Sequence, residues 1–206
     1  MIKIYNYGEV ENSEIFARQN TEENVSRAVS EIIAEVVKNG DKALVSYAEK
    51  FDGANLAALE VTDAEIKEAF GAVDPAFIAV LEEAAVNIRH FHEKQVRSSF
   101  VINDKDGVVM GQKVMPIEKV GIYVPGGTAA YPSTVLMDSI PAKIAGCAEI
   151  VMVTPPLASG KVNPVILAAA KIAGIDRIFK TGGAQAVAAL AYGTESVPKV
   201  DKIVGP

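Results

Sequence analysis

The sequence predicts an α/β protein built on a parallel, Rossmann-like sheet, and three observations carry that prediction. Four short apolar runs, at 120–124, 149–154, 177–181 and 202–204, each stop at glycine or proline: Pro125-Gly126-Gly127, Pro155-Pro156, Gly182-Gly183 and Gly205-Pro206. Short β-rich runs closed by such residues read as buried strands. The runs start near 120, 150, 177 and 201, so successive starts lie 30, 27 and 24 residues apart. That spacing fits right-handed strand–helix–strand crossovers. Between the runs, segments near 133–146, 163–174 and 184–192 carry apolar residues suited to helices.

The elements before this region are mainly helical. Residues 1–22 read as an arm, in which Ile2, Ile4 and Tyr7 can add a short strand. From 24 to 39, Val25, Ala28, Val29, Ile32, Ile33, Val36 and Val37 recur at spacings of three and four, which predicts an amphipathic helix stopped by Gly40. A second helix is expected over 43–51, capped by Asp41 and ended by Asp52-Gly53. Thr62 and Glu65 form a capping box ahead of 64–70, and Asp74-Pro75 supplies a cap and a first-turn proline for a long helix to about Gln95. Between Ser98 and Pro116 the period turns to alternation around Asp106-Gly107, a strong hairpin signal. Pro141, inside the 133–146 helix, removes a hydrogen bond and is expected to kink it. The domain reading is therefore an arm at 1–22, a helical segment with a hairpin at 23–117, and the sheet lobe at 118–206. The end at Val204-Gly205-Pro206 falls where a strand enters its turn, so the chain is expected to be the N-terminal piece of a longer protein.

Composition narrows the function classes. Half of the 206 residues are hydrophobic, which excludes a disordered tail and permits a large core. The 20 basic and 26 acidic residues are interspersed and leave a net charge of −6, so nucleic acid and anionic membranes are not expected partners. No run reaches the ~18 apolar residues of a spanning helix. A single cysteine, Cys147, and an N-terminus without the build of a signal peptide point to the cytoplasm.

In parallel sheets ligands sit beyond the carboxyl ends of the strands, so the four glycine and proline turns are expected to share one rim. Glycines there let backbone approach a ligand closely, and a following helix start favours an anion. Two side chains stand at that rim. Tyr123 precedes the first turn, where its phenol can stack on or hydrogen-bond a ring or ribose, or else be a core tyrosine with a satisfied hydroxyl. Gln185 opens the alanine-rich helix after Gly183, where its amide suits a bound phosphate or amide, or a simple cap. His90 and His92, two apart on a helix, point in different directions and cannot chelate one metal. Cys147, between apolar segments and far from histidine in sequence, reads as a small hydrophobe. There is no nucleophile elbow, no Walker loop and no Gly-x-Gly-x-x-Gly fingerprint.

Six stretches in order, at 120–127, 131–137, 140–146, 153–156, 182–195 and 198–206, closely resemble the histidinol dehydrogenase family; they include Val-Gly-Ile-Tyr-Val-Pro-Gly-Gly and Gly-Gly-Ala-Gln-Ala-Val-Ala-Ala-Leu-Ala-Tyr-Gly-Thr-Glu. The likeness extends upstream through 49–53, Asp74-Pro75 and 88–95. The resemblance implies an aldehyde-dehydrogenase-like architecture of two α/β lobes, with residues 23–117 forming part of the first. It also implies a cytoplasmic homodimer, dependent on zinc and NAD, that oxidises L-histidinol through the aldehyde to L-histidine. The family's NAD contacts map onto Tyr123 and Gln185, and a third, an Asn after a Gly-Pro-Gly turn, falls beyond Pro206. So do its zinc ligands, its Glu-His catalytic pair and its substrate-binding Ser. The chain alone is therefore expected to be inactive. Two other readings stay open at this point: a stand-alone α/β nucleotide- or phosphate-binding module, and a different NAD-dependent dehydrogenase sharing this lobe.

Overall fold

A computed structural model describes residues 4–16, 25–126 and 130–206. Ile2, named above for a strand, and Gly127 and Thr128 of the first glycine turn lie outside the described residues. Ile4 and Tyr7 join no strand; this arm is exposed and holds one helical turn, α1 (Asn12–Ile15), because nothing in its weak pattern supplies an apolar face to bury.

Helix α2 (Val25–Asn39) ends at Gly40, whose φ of +52° suits glycine alone. Gly40 also stands as N-cap of α3 (Asp41–Tyr47), which corrects the expectation that Asp41 is the cap. One glycine closes the first helix and begins the second, so Asp41 is already inside α3. Its carboxylate instead accepts hydrogen bonds from the Thr194 hydroxyl at 2.6 Å, from the Ser196 amide at 3.2 Å and from the Ser196 hydroxyl. The chain then widens into a π-helical turn, Ala48–Asp52, rather than staying α-helical to Phe51.

The two caps read from sequence are present. In front of α4 (Asp63–Ala72), Thr62 Oγ1 accepts from the Glu65 amide at 3.2 Å while Glu65 accepts from the Thr62 amide at 2.8 Å. Asp74 accepts from the Ala76 amide at 2.8 Å and Pro75 opens α5 (Pro75–Glu93). Strands β1 (Phe100–Lys105) and β2 (Val108–Gln112) form the antiparallel hairpin around Asp106-Gly107, exposed on both faces.

The remainder alternates β3 (Lys119–Tyr123), α6 (Pro132–Ala145), β4 (Glu149–Thr154), α7 (Pro164–Ala173), β5 (Arg177–Lys180), α8 (Gly183–Tyr192) and β6 (Lys202–Val204). Helix α6 continues through Pro141. The four strands are parallel in the order β5-β4-β3-β6. Alternation along the strands divides the core in two. Val120, Ile122, Ile150, Met152 and Ile178 pack with α6 and α7, over which α4 and α5 lie. Val151, Val153, Phe179 and Tyr123 face α8, with α2 and α3 outside it. The strand order reverses between β3 and β6, a switch point of the kind at which α/β sheets bind ligands. At the far edge the Val61 amide donates to Ile178 O and the Lys180 amide to Leu59 O, each at 2.8 Å, so β5 is covered, whereas β6 forms the other edge with Val204 exposed.

Candidate functional site

Pro155 is the pivot of the carboxyl rim. It follows β4, and the turns after β3 and β5 close on its ring from two sides. A Cβ built on Gly126 would stand 2.4 Å from the ring, and one on Gly182 2.6 Å away. Contacts that short exclude any side chain at either glycine. The fourth tip adjoins them: a Cβ on Gly205 would lie 2.8 Å from Tyr123 O. The rim forecast from the parallel sheet therefore exists, and it opens into a cleft of about 590 Å³, within the ~300–1,000 Å³ of small-molecule sites.

Tyr123 and Gln185 both line this cleft. Tyr123 points to the α8 side of the sheet because it occupies an odd position in β3. Its hydroxyl accepts a hydrogen bond from the Gly183 amide at 3.1 Å and so ties the end of β3 to the start of α8. Gln185, in the first turn of α8, is 3% exposed although polar. The α8 N-cap, Gly182, makes no side-chain capping bond, so apart from the Gly183 amide engaged by Tyr123 the helix presents the positive end of its dipole without a protein acid upon it.

The remaining wall comes from far upstream. Ile32 of α2 and Phe51 and Asp52 of the π-helical turn line the same cleft. Asp52 is the one charged residue among the described lining residues. Burial pushes its carboxyl above the usual aspartate range, and no ion pair offsets this among the described residues. Sequence reading did not assign Phe51 and Asp52 to the site. A signal was available, since both fall in the 49–53 stretch that carries the resemblance.

The other candidates lie elsewhere. His90 is exposed and His92 half-buried on α5, with His92 Nδ1 2.7 Å from Gln95 Oε1. Cys147 packs half-buried against the core on the α6 and α7 side, and burial pushes its thiol up, away from the reactive thiolate. Among the described residues no three His, Cys, Asp or Glu side chains converge on a possible metal position. No described helix is long and apolar enough to cross a membrane.

Comparison with known proteins decides the family. The histidinol dehydrogenase profile matches residues 16–206. The chain belongs to the histidinol dehydrogenase family. It is similar to the histidinol dehydrogenase of Clostridium acetobutylicum, with 54% identity covering 92% of this chain and 43% of the relative. With that of Syntrophotalea carbinolica it shares 56% identity, over 93% of this chain and 45% of the relative. A crystal structure of histidinol dehydrogenase from Elizabethkingia anophelis superposes with a TM-score of 0.88 at 42% identity, covering 92% of this chain and 44% of that one. This chain thus spans under half the length of the histidinol dehydrogenases it matches. Membership displaces the alternative of a different dehydrogenase that shares the lobe.

Proposed function

We propose that the cleft at the carboxyl rim seats NAD, and that the chain serves as the N-terminal part of a histidinol dehydrogenase oxidising L-histidinol through the aldehyde to L-histidine. What supports this reading is that Tyr123 and Gln185, the two NAD contacts the resemblance implies, stand on adjoining strand and helix tips in one cleft. The residues present fit a dinucleotide. Gly126, Gly182 and Gly183 put backbone rather than side chains on the cleft wall, where a diphosphate can lie against it, and the start of α8 supplies the favourable field. The Gln185 amide can donate and accept, and the Tyr123 ring offers a flat face beside its engaged hydroxyl. Residues 118–206 then form the dinucleotide lobe, and 23–117 belong to the first α/β lobe of the whole enzyme while covering this sheet.

When bound, NAD would supply the two-electron acceptor, one molecule for each of the two oxidations. This chain's part is to bind and orient it: the three tips meeting at Pro155 hold the backbone cradle rigid, and the Tyr123 hydroxyl fixes the entry of α8. Zinc finds no fit among the described residues. We place the whole enzyme as a homodimer.

Titrating the chain with NAD tests the reading. Weak, saturable binding is expected, and Gln185→Ala should weaken it about tenfold, the loss of roughly 1–1.5 kcal/mol of hydrogen bonding. Absence of saturable binding, or unchanged affinity in a folded Gln185→Ala variant, rejects the site. Zinc-supplemented chain given NAD and histidinol should form no NADH; turnover would reject the division of labour between this part and the rest of the enzyme.

A further inference from the structure

Asp52 sets the sign of the cleft. No lysine or arginine occurs among the described lining residues. The other polar side chains there are neutral, and two are already engaged: Asn163 Oδ1 accepts from the Val165 amide at 2.9 Å to cap α7, and the Tyr123 hydroxyl accepts from Gly183. A dinucleotide in this cleft therefore has a favourable place for its diphosphate at the glycine tips and the α8 start, and an unfavourable place for any phosphate near Asp52. What a lone carboxylate accepts well is a pair of hydroxyls, and each ribose of a dinucleotide carries such a pair. The wall beside Asp52 is apolar, made by Phe51 and Ile32, which suits a purine ring. Adenine against that wall brings the adenosine ribose to Asp52.

We infer that Asp52 selects NAD over NADP: its carboxylate accepts hydrogen bonds from the adenosine ribose hydroxyls and repels a phosphate at the 2′ position. This rests on the reading that the cleft holds a dinucleotide. Its physical basis is general. A carboxylate is acceptor-only when ionised, so it gains from a diol and has no donor to offer a phosphate dianion. Asp52 makes no ion pair among the described residues, although Lys50 Nζ lies 5.3 Å from the centroid of the neighbouring Phe51 ring. The π-helical turn is what brings it there: an extra residue in the turn rotates Phe51 and Asp52 relative to a continuing α-helix.

Equilibrium titration of the chain with NAD, NADP and 2′-deoxy-NAD tests this. The wild-type chain should bind NAD at least tenfold more tightly than either of the other two. Added salt should narrow the gap to NADP and leave that to 2′-deoxy-NAD unchanged, since only the first is a charge effect. In Asp52→Asn, shown to be folded by an unchanged melting curve, NADP should bind within threefold of NAD. Equal wild-type affinities for NAD and 2′-deoxy-NAD overturn the inference without recourse to any variant. So does an unchanged NAD-to-NADP ratio in Asp52→Asn, or equal weakening of both, which would place Asp52 at the nicotinamide ribose. Failure of the wild-type chain to bind any of the three rejects the dinucleotide reading itself, a different result from binding without discrimination.

Discussion

The same four parallel strands end in opposite chemistries. At their carboxyl tips the chain places glycine and proline, with backbone against the Pro155 ring and a single carboxylate, Asp52, in the cleft. At their amino ends it places charge. Asp176, just before β5, accepts from the Ile150 amide at 2.8 Å and from Lys143 Nζ at 2.8 Å, while its own amide donates to Ile150 O at 3.1 Å. Asp201, just before β6, repeats the device on Lys119: carboxylate to amide at 2.9 Å, amide to carbonyl at 2.9 Å. Arg177 adds a two-pronged pair with Glu60 at 2.7 and 2.8 Å. The difference teaches how a sheet with one working end is held. Register is locked by charged side chains at one end, and the other end is left bare, as the proposed dinucleotide site needs.

The largest effect should come from filling the bare end. Gly182 has φ of −124°, so a side chain there meets no backbone strain and the cost is steric alone. Gly182→Val must push the Pro155 ring, on which the Gly126 turn also closes, away from two strand tips. Overpacking of this kind costs ~1–3 kcal/mol, and the displaced rim should abolish measurable NAD binding. Urea denaturation with NAD titration checks both. Retained affinity would mean that the tips need not meet on Pro155, and the comparison between the ends would lose its basis.

A smaller and purely structural loss is expected at the locked end. Asp176→Ala leaves the Ile150 amide, in a fully buried residue, without its carboxylate and frees Lys143. An orphaned buried amide costs ~1–3 kcal/mol, of which water entering beside this half-exposed side chain recovers a part. NAD affinity should stay within twofold of wild type, because the change lies at the opposite ends of the strands. A parallel fall in stability and affinity would show that the two ends are coupled through the strands, contrary to the division drawn above.

The two ends were unequally legible in the sequence. The rim was readable because short, almost wholly apolar runs stopped by glycine or proline mark strand tips, and a parallel sheet brings such tips to one side. Tyr123 and Gln185 followed as polar residues close to two of those stops. The amino-end locks were not readable, since an aspartate before a strand looks like an ordinary turn residue until its neighbour across the sheet is known. Asp52 was hidden for a different reason. It reaches the cleft through a π-helical turn that no residue pattern announces, from a segment some seventy residues upstream of the strand it faces. Asp41 misled because a short polar residue after Gly40 resembles a cap, whereas the positive φ of Gly40 had already begun the helix. Its partners, Thr194 and Ser196, lie more than 150 positions away.

The smallest expected effect is acid sensitivity confined to the locked end. The Arg177 hydrogen bond holds the Glu60 carboxyl below the ordinary glutamate range, against a burial that works to raise it, and the Arg177 charge adds to the lowering. A depressed folded pKa means that this pair stabilises fully above the unfolded value, near 4.5, and that the contribution disappears as pH falls through the folded one. Both side chains are about one-third or more exposed, so solvent and salt screen the pair and its share stays below that of Asp176. Glu60→Gln should therefore lower the urea midpoint slightly at pH 7, and the gap to wild type should close as the pH falls below 4.5 and through the depressed folded value. Half-molar salt should shrink the gap at pH 7 as well. The NAD titration at pH 7 should not change, because Glu60 lies at the charged end. A gap that persists unaltered at pH 3 would show that Glu60 acts by packing against its neighbours, and the amino end would then owe its register to the two aspartates alone.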